Sequence, residues 1–282
     1  MTAATVQTLA PGFDTVVRTA LLGVMFRDAG TLRLVADGLR TELIDTWQPQ
    51  RRHSLAPNRS GVFVLHRLPG LPGFDDDVVP ASPPDPARYR LAVQDTAGRY
   101  LPAAVQLALP HDGLFGLPAS VDSPADTTPY VPLFSAATRS VPPPLAQLRA
   151  ELRRASAPEQ PVPWALLELW LGSERLAQGR ADAAGRVLLP FPLPRPREPG
   201  LRDSPGTLDE RWSWDVTLLA FWAPAPPSTD GALPDLETLL AQPPVTLLQQ
   251  LSPPLQLAPL RLQAGLPLLA HSAGSSFLFV AD

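Results

Sequence analysis

The chain has 282 residues, 37 of them proline, with a formal net charge of −4 and no cysteine. Proline at about 13% of positions, against an average near 5%, excludes a mainly helical protein, because each interior proline removes a hydrogen bond and clashes with the preceding turn. The missing cysteine excludes a disulfide framework, a thiolate metal site and a cysteine nucleophile. All 23 basic residues are arginine and none stands in a run longer than two, a pattern unsuited to gripping nucleic-acid backbones.

From the start of the chain, Asp14–Met25 fits a helical face and a strand equally well and is left open. The apolar stretch Thr19–Phe26 is far short of the roughly 20 residues a membrane span needs. The first 30 residues lack the basic start and small-residue cleavage site of a secretory leader, so the expectation is a cytoplasmic product with no membrane span. Strands are expected at Thr31–Ala36, Gly61–His66, Arg88–Gln94 and Ala104–Leu109. Turn signals at Asp28-Ala29-Gly30, Asp37-Gly38 and Thr96-Ala97-Gly98 punctuate them.

In the second half, Ala146, Leu148, Ala150 and Leu152 alternate with Gln147, Arg149, Glu151 and Arg153, the two-residue period of a half-buried strand. Further strands are expected at Ala165–Leu171, Arg186–Pro190, Trp212–Trp222, Leu260–Gln263 and Ser276–Val280. Asp235 caps a short helix over 236–242 that Pro243-Pro244 must stop, and a second helical piece is expected over Val245–Leu251. Long proline-rich loops cover Leu71–Pro86, Pro110–Pro132 and Arg195–Gly206. The fold class is therefore all-β: two tandem antiparallel β-sandwich domains, 1–135 and 136–282, with one or two short helices. The halves echo one another, since Arg59-Ser60-Gly61 leads into Val62–Pro69 as Asp182-Ala183-Ala184-Gly185 leads into Arg186–Pro194.

Chemistry-bearing residues are dispersed. His53, His66, His111 and His271 lie in four different regions without metal-ligand spacing. His66 reads as a packing residue and His111-Asp112-Gly113 as a turn. Gly274-Ser275-Ser276 lacks the frame of a nucleophile elbow. Asp75-Asp76-Asp77 reads as a solvated loop rather than a calcium site. No catalytic, cofactor-binding or metal-binding residue is assigned. The tryptophans are the candidate interface or ligand face: Trp212, Trp214 and Trp222 share one side of a strand, joined by Trp164 and Trp170. Core packing, a protein surface anchored by tryptophan and arginine, and a stacking platform for sugars all remain open for them.

Glu159-Gln160-Pro161-Val162-Pro163-Trp164-Ala165 and Ala181-Asp182-Ala183-Ala184-Gly185-Arg186-Val187 resemble the carboxypeptidase-regulatory-like, transthyretin-fold sandwiches. That resemblance implies a hairpin followed by a D-x-x-G turn that launches a buried strand, and no peptidase activity. The pattern of Pro57–Gly70, Tyr89–Pro110 and Pro132–Ser135 resembles accessory proteins encoded with phage-tail-like contractile injection systems. It implies a structural or adaptor role beside sheath, tube, cap or baseplate subunits, the cap or terminator end favoured, in a multimeric particle that is assembled in the cytoplasm and can be released. A carbohydrate- or small-ligand-binding module using the Trp212–Trp222 face is the alternative.

Overall fold

The computed structural model describes residues 20–68, 87–111, 113–117, 128–196, 212–224 and 233–281. Asp75-Asp76-Asp77, the loop over 71–86, residues 112 and 118–127 of the loop over 110–132, and residues 197–206 lie outside them. The protein is nearly all β and divides into two compact units, each built from non-contiguous pieces. The first comprises residues 1–27, 34–94 and 104–132; the second comprises 28–33, 95–103 and 133–282. The two expected contiguous domains, meeting at 135/136, take no account of the short excursions 28–33 and 95–103, which complete the second unit.

The first unit holds β1 (Leu22–Val24), β2 (Phe26–Asp28), β3 (Leu39–Asp45), β4 (Arg52–Pro57), β5 (Phe63–Leu65), β6 (Ala87–Asp95), β7 (Ala103–Leu109), β8 (Leu114–Phe115) and β9 (Val131–Leu133), the last residues of β2, β6 and β9 and the first of β7 counting with the second. Seven strands form one sheet in the order β7-β6-β3-β4-β5-β1-β8, and β2 pairs with β9. Alternation does the sorting: Leu43, Leu91, Val93, Val105 and Leu107 point to a core that Phe26 and Phe63 fill edge to face, with centroids 5.2 Å apart.

The second unit holds β10 (Leu145–Arg154), β11 (Leu166–Leu171), β12 (Glu174–Arg180), β13 (Arg186–Pro192), β14 (Ser213–Phe221), helix α1 (Leu236–Leu240), β15 (Pro244–Val245), β16 (Leu247–Gln250), β17 (Leu255–Gln256), β18 (Leu260–Gln263), β19 (Leu268–Ala270) and β20 (Leu278–Val280). One sheet runs β13-β10-β20-β16-β17 with β19 also on β10; the other runs β12-β11-β14-β15 with β18 also on β14. Leu148, Val187, Leu189 and Leu278 of the first sheet share one core with Leu167, Leu169, Val216 and Leu262 of the second. That arrangement is a sandwich.

Three expectations need correction. Thr31–Ala36 is not a strand and makes a single bridge, Leu34 to Arg27. The Asp28 carboxylate captures the N–H groups of Gly30 and Thr31 at 2.8 and 2.9 Å, and Leu32 turns to φ 57°, so a side-chain-capped turn replaces the ladder. Val245–Leu251 is not helical: Val245 and Leu247–Gln250 are strand. A helix trapped between two proline pairs is too short to repay its nucleation, whereas α1 keeps the expected Asp235 cap on Thr238 N–H. The sheets are also not purely antiparallel, since β1 runs parallel to β8, and β10 runs parallel to β19 and β20.

The internal echo has a physical basis in one repeated turn. Asn58, Asp95 and Asp182 each accept hydrogen bonds from the backbone N–H groups two and four residues on. The glycine three residues on lies at φ +76°, +67° and +79° (Gly61, Gly98, Gly185) and donates back to the turn's first carbonyl. Arg99 and Arg186 close their turns by pairing with the aspartate that begins them.

Candidate functional site

The five tryptophans singled out in the sequence do not share one accessible face. Trp214 and Trp222 alternate inward along β14 with Val216, Leu218 and Ala220, and both are core residues. Their indole N–H groups donate to Arg195 O and Pro163 O, each at 3.2 Å, which lets an amphipathic ring be buried without an orphaned donor. Trp170 is half-buried and donates to Glu168 Oε2 at 3.0 Å. Trp164 is half-buried at φ 62°. Trp212 remains, 44% exposed at the entry to β14. Trp214 and Trp222 thus lie on a side that faces the core, and Trp212 stands just before the strand begins.

A polar cluster lies inside the second unit. Asp28 accepts from Tyr100 Oη at 2.9 Å and from Arg139 Nη1 at 2.6 Å, and Arg139 also donates to Ser135 Oγ at 2.7 Å. Burial, with the Asp28 carboxylate beside it, drives the Tyr100 hydroxyl well above its ordinary range. Arg180 is wholly buried at the end of β12, where Nη2 donates to Pro102 O at 2.6 Å and the guanidinium lies 5.8 Å from the Phe134 ring and 5.6 Å from the Trp164 ring. Its Nε has no partner, and no carboxylate pairs with it among the described residues. Burial pushes its pKa down to about 10.

A notch of about 660 Å3 lies where β13, β10 and β19 run side by side. It exists because β10 changes partner: Leu148–Ala150 pairs with β19 and Leu152–Arg154 with β20. The chain between β19 and β20 forms a loop closed by Ser272 N–H to Phe277 O at 2.8 Å. Buried Ser272 anchors that loop, donating to Leu248 O and accepting from Phe279 N–H at 3.1 Å. Ala150, Val187 and Ala270 line the notch together with Thr138, Arg149, Glu151, Arg186, His271, Ser275 and Ser276, and Leu269 borders it 60% exposed.

The notch charges are mostly spoken for. Glu151 pairs with Arg153, and Arg186 pairs with Asp182. Arg149 donates to Gln147 Oε1 at 3.2 Å and to Ala137 O at 2.9 Å, both uncharged, and forms no ion pair among the described residues. The arrangement offers recognition: guanidinium and hydroxyl donors around an apolar floor. His271 lies in the notch, His111 stacks edge-on to Phe115 with centroids 5.3 Å apart, and no three His, Asp or Glu among the described residues are placed to share a metal ion. Sequence reading missed the notch because it arises from a partner switch along β10, which no local spacing encodes.

No protein-family model matches the chain, and no curated protein matches it. Among solved structures it is similar to the Bacillus anthracis TIE protein, at 11% identity and a TM-score of 0.23, over 62% of this chain and 26% of that one. The chain thus spans about a quarter of that protein's length. It is similar to a mutant form of the shaft pilin of Lactobacillus rhamnosus GG, at 12% identity and a TM-score of 0.22, over 92% and 97% of the two chains. A third, described as an adhesin from Bacteroides ovatus, has 10% identity and a TM-score of 0.15 over 79% and 86%.

Proposed function

We propose that the protein is a non-catalytic structural or adaptor subunit of a larger protein assembly. The observation that carries this reading is the pairing of a notch rich in arginine and hydroxyl donors with solvent-facing leucines at and beside its edge. Leu266 and Leu269, on and beside the β18–β19 turn, are 59% and 60% exposed, and Arg149 stands in the adjoining notch without a carboxylate partner among the described residues. Exposed aliphatic side chains beside an arginine whose donors are not neutralised suit a protein surface that completes itself on a neighbour. The likeness of Pro57–Gly70, Tyr89–Pro110 and Pro132–Ser135 to accessory proteins of phage-tail-like contractile injection systems supplies the particle class, and favours the cap or terminator end over the baseplate.

The test is isolation of high-mass complexes from cells that express the tagged full chain, followed by electron microscopy and identification of the co-sedimenting subunits. Tail-like particles carrying the chain at one end are the expected result. A chain found throughout in low-mass fractions overturns the reading.

A further inference from the structure

The largest apolar side chain left in solvent is not in the notch but at the tip of the β3–β4 hairpin, where Trp47 is 86% exposed. The tip is built, not slack. Asp45 Oδ1 accepts from Trp47 N–H at 2.8 Å and from Gln48 N–H at 3.3 Å, and Arg51 N–H donates to Gln48 O at 2.8 Å. Thr46 Oγ1 donates to Arg88 O at 2.8 Å, tying the tip to the start of β6. An indole on such a support loses little conformational entropy when it is buried by a partner.

The surroundings are cationic. Arg51 and Arg88 are both exposed, and neither makes an ion pair among the described residues. Arg52 is exposed as well, with Nη1 3.2 Å from Glu42 Oε2. The nearby acids are already engaged: Asp45 accepts the turn's N–H groups, and Glu42 holds Arg40 and Arg52. Tryptophan and arginine are the residue types that dominate binding energy at protein interfaces, and a positive rim selects a negative one.

We propose that this tip is a docking anchor: Trp47 inserts into an apolar socket on another protein whose rim carries aspartate and glutamate side chains that meet Arg51 and Arg88. The inference deepens the reading of the protein as an assembly subunit and rests on it. An anionic membrane would also accept an indole flanked by arginines. A single indole on a rigid turn presents too little apolar area for lasting attachment to lipid, whereas one aromatic in a fitted socket is enough to dominate a protein interface.

The test uses the full chain and three variants, Trp47→Ala, Arg51→Glu and the double Arg51→Glu/Arg88→Glu, whose circular dichroism and melting should match the parent because all three positions are exposed. Retention in the high-mass complexes should fall about tenfold or more for Trp47→Ala. The two charge reversals should weaken retention further at low salt than at high salt. A photo-crosslinking phenylalanine derivative at position 47 should yield an adduct on one partner, at an apolar site flanked by Asp or Glu. Variants retained like the parent overturn the anchor and leave the assembly reading intact. If the parent itself enters no complex, the assembly reading fails and the adduct alone decides: a mapped acidic-rimmed socket upholds the anchor, and no adduct overturns it. Trp47-dependent co-sedimentation with phosphatidylglycerol vesicles, without a protein adduct, also overturns it.

Discussion

Arg139 Nη1 lies 2.6 Å from Asp28 Oδ2, an ion pair inside the second unit between residues 111 positions apart in sequence. The same carboxylate oxygen accepts from Tyr100, the Arg139 guanidinium lies 4.7 Å from the Tyr100 ring, and the other oxygen caps the turn at Gly30 and Thr31. One aspartate therefore fastens three separate stretches of sequence. A buried charge of this kind is tolerated because every lone-pair direction is used.

Removing it should be costly. Asp28→Ala leaves a half-buried guanidinium, a buried phenol and two N–H groups without their acceptor, and is expected to lower stability by about 3–5 kcal/mol. Urea denaturation followed by tryptophan fluorescence measures this. A loss below about 1 kcal/mol would mean that the pair behaves as an exposed one.

Arg180 makes the opposite case. Its guanidinium is wholly buried without a carboxylate among the described residues, and burial draws its pKa down to about 10, so at pH 7 it is still charged and the desolvation cost is fully present. Arg180→Met keeps most of the side-chain volume and removes the charge, giving up one hydrogen bond to Pro102 O. The variant is expected to be as stable as the parent or more so, by about 1–3 kcal/mol. Arg180→Lys, which keeps a charge and loses the planar contact with Phe134 and Trp164, should be less stable than both. A midpoint for Arg180→Met well below the parent's would show that the Pro102 bond and the two rings outweigh desolvation.

How much of this was legible beforehand depends on whether the signal was local. Alternation located β6, β7, β10 and β14 to within two residues, because one buried face dictates the period. The capping aspartates and the glycines of left-handed turns were legible for the same reason. Thr31–Ala36 is no strand because the Asp28 carboxylate takes the N–H groups of Gly30 and Thr31 and turns the chain at its start. β12 was passed over because its apolar residues, Leu176 and Ala177, are adjacent rather than alternating, and a register shift in its pairing with β11 lets both face inward. The notch depends on which strands lie beside β10, and Trp47 on how much of its indole the fold leaves uncovered; neither quantity is local. Trp47 did carry a weak sign, as the lone tryptophan of the first half beside the polar run Gln48–Arg52.

The two ends of the pH scale should be governed by different groups. Burial raises the Asp95 carboxyl, but the Arg99 side chain and the N–H groups of Arg99 and Ala97 together hold it below its ordinary 3.8. A value depressed on folding means the stabilisation is complete above the unfolded value and is lost as pH falls through the folded one. Stability should therefore decline below about pH 4, and less steeply in Asp95→Asn, as urea midpoints between pH 3 and 7 would record. Tyr100 and Tyr89 are raised above 10.0, mainly by burial. Their contribution is complete below that value and is lost as pH climbs past it. Absorbance at about 295 nm should show less tyrosinate at pH 11 in the native protein than in guanidinium, and equal amounts would contradict the burial of these two phenols.

The three copies of the repeated turn permit a ranking. Gly98, Gly61 and Gly185 share a positive φ, so alanine pays the same left-handed strain at each, about 1–2 kcal/mol. What a new methyl group meets then decides the rest. At Gly98 it meets nothing within 4 Å; at Gly61 it comes 2.6 Å from Leu34 Cδ2, the far end of a half-exposed side chain that can rotate away. At Gly185 it comes 2.5 Å from Leu152 O, a backbone atom of β10 that also holds Val162 N–H at 3.1 Å and cannot yield without disturbing that bond. Alanine should therefore cost least at 98, somewhat more at 61 and most at 185, where the loss should be about twice that at 98 or greater. Melting temperatures of the three single variants give the order directly. A Gly185→Ala variant that melts with Gly98→Ala would show that β10 shifts freely at Leu152, and that the turn after β12 is not wedged against it.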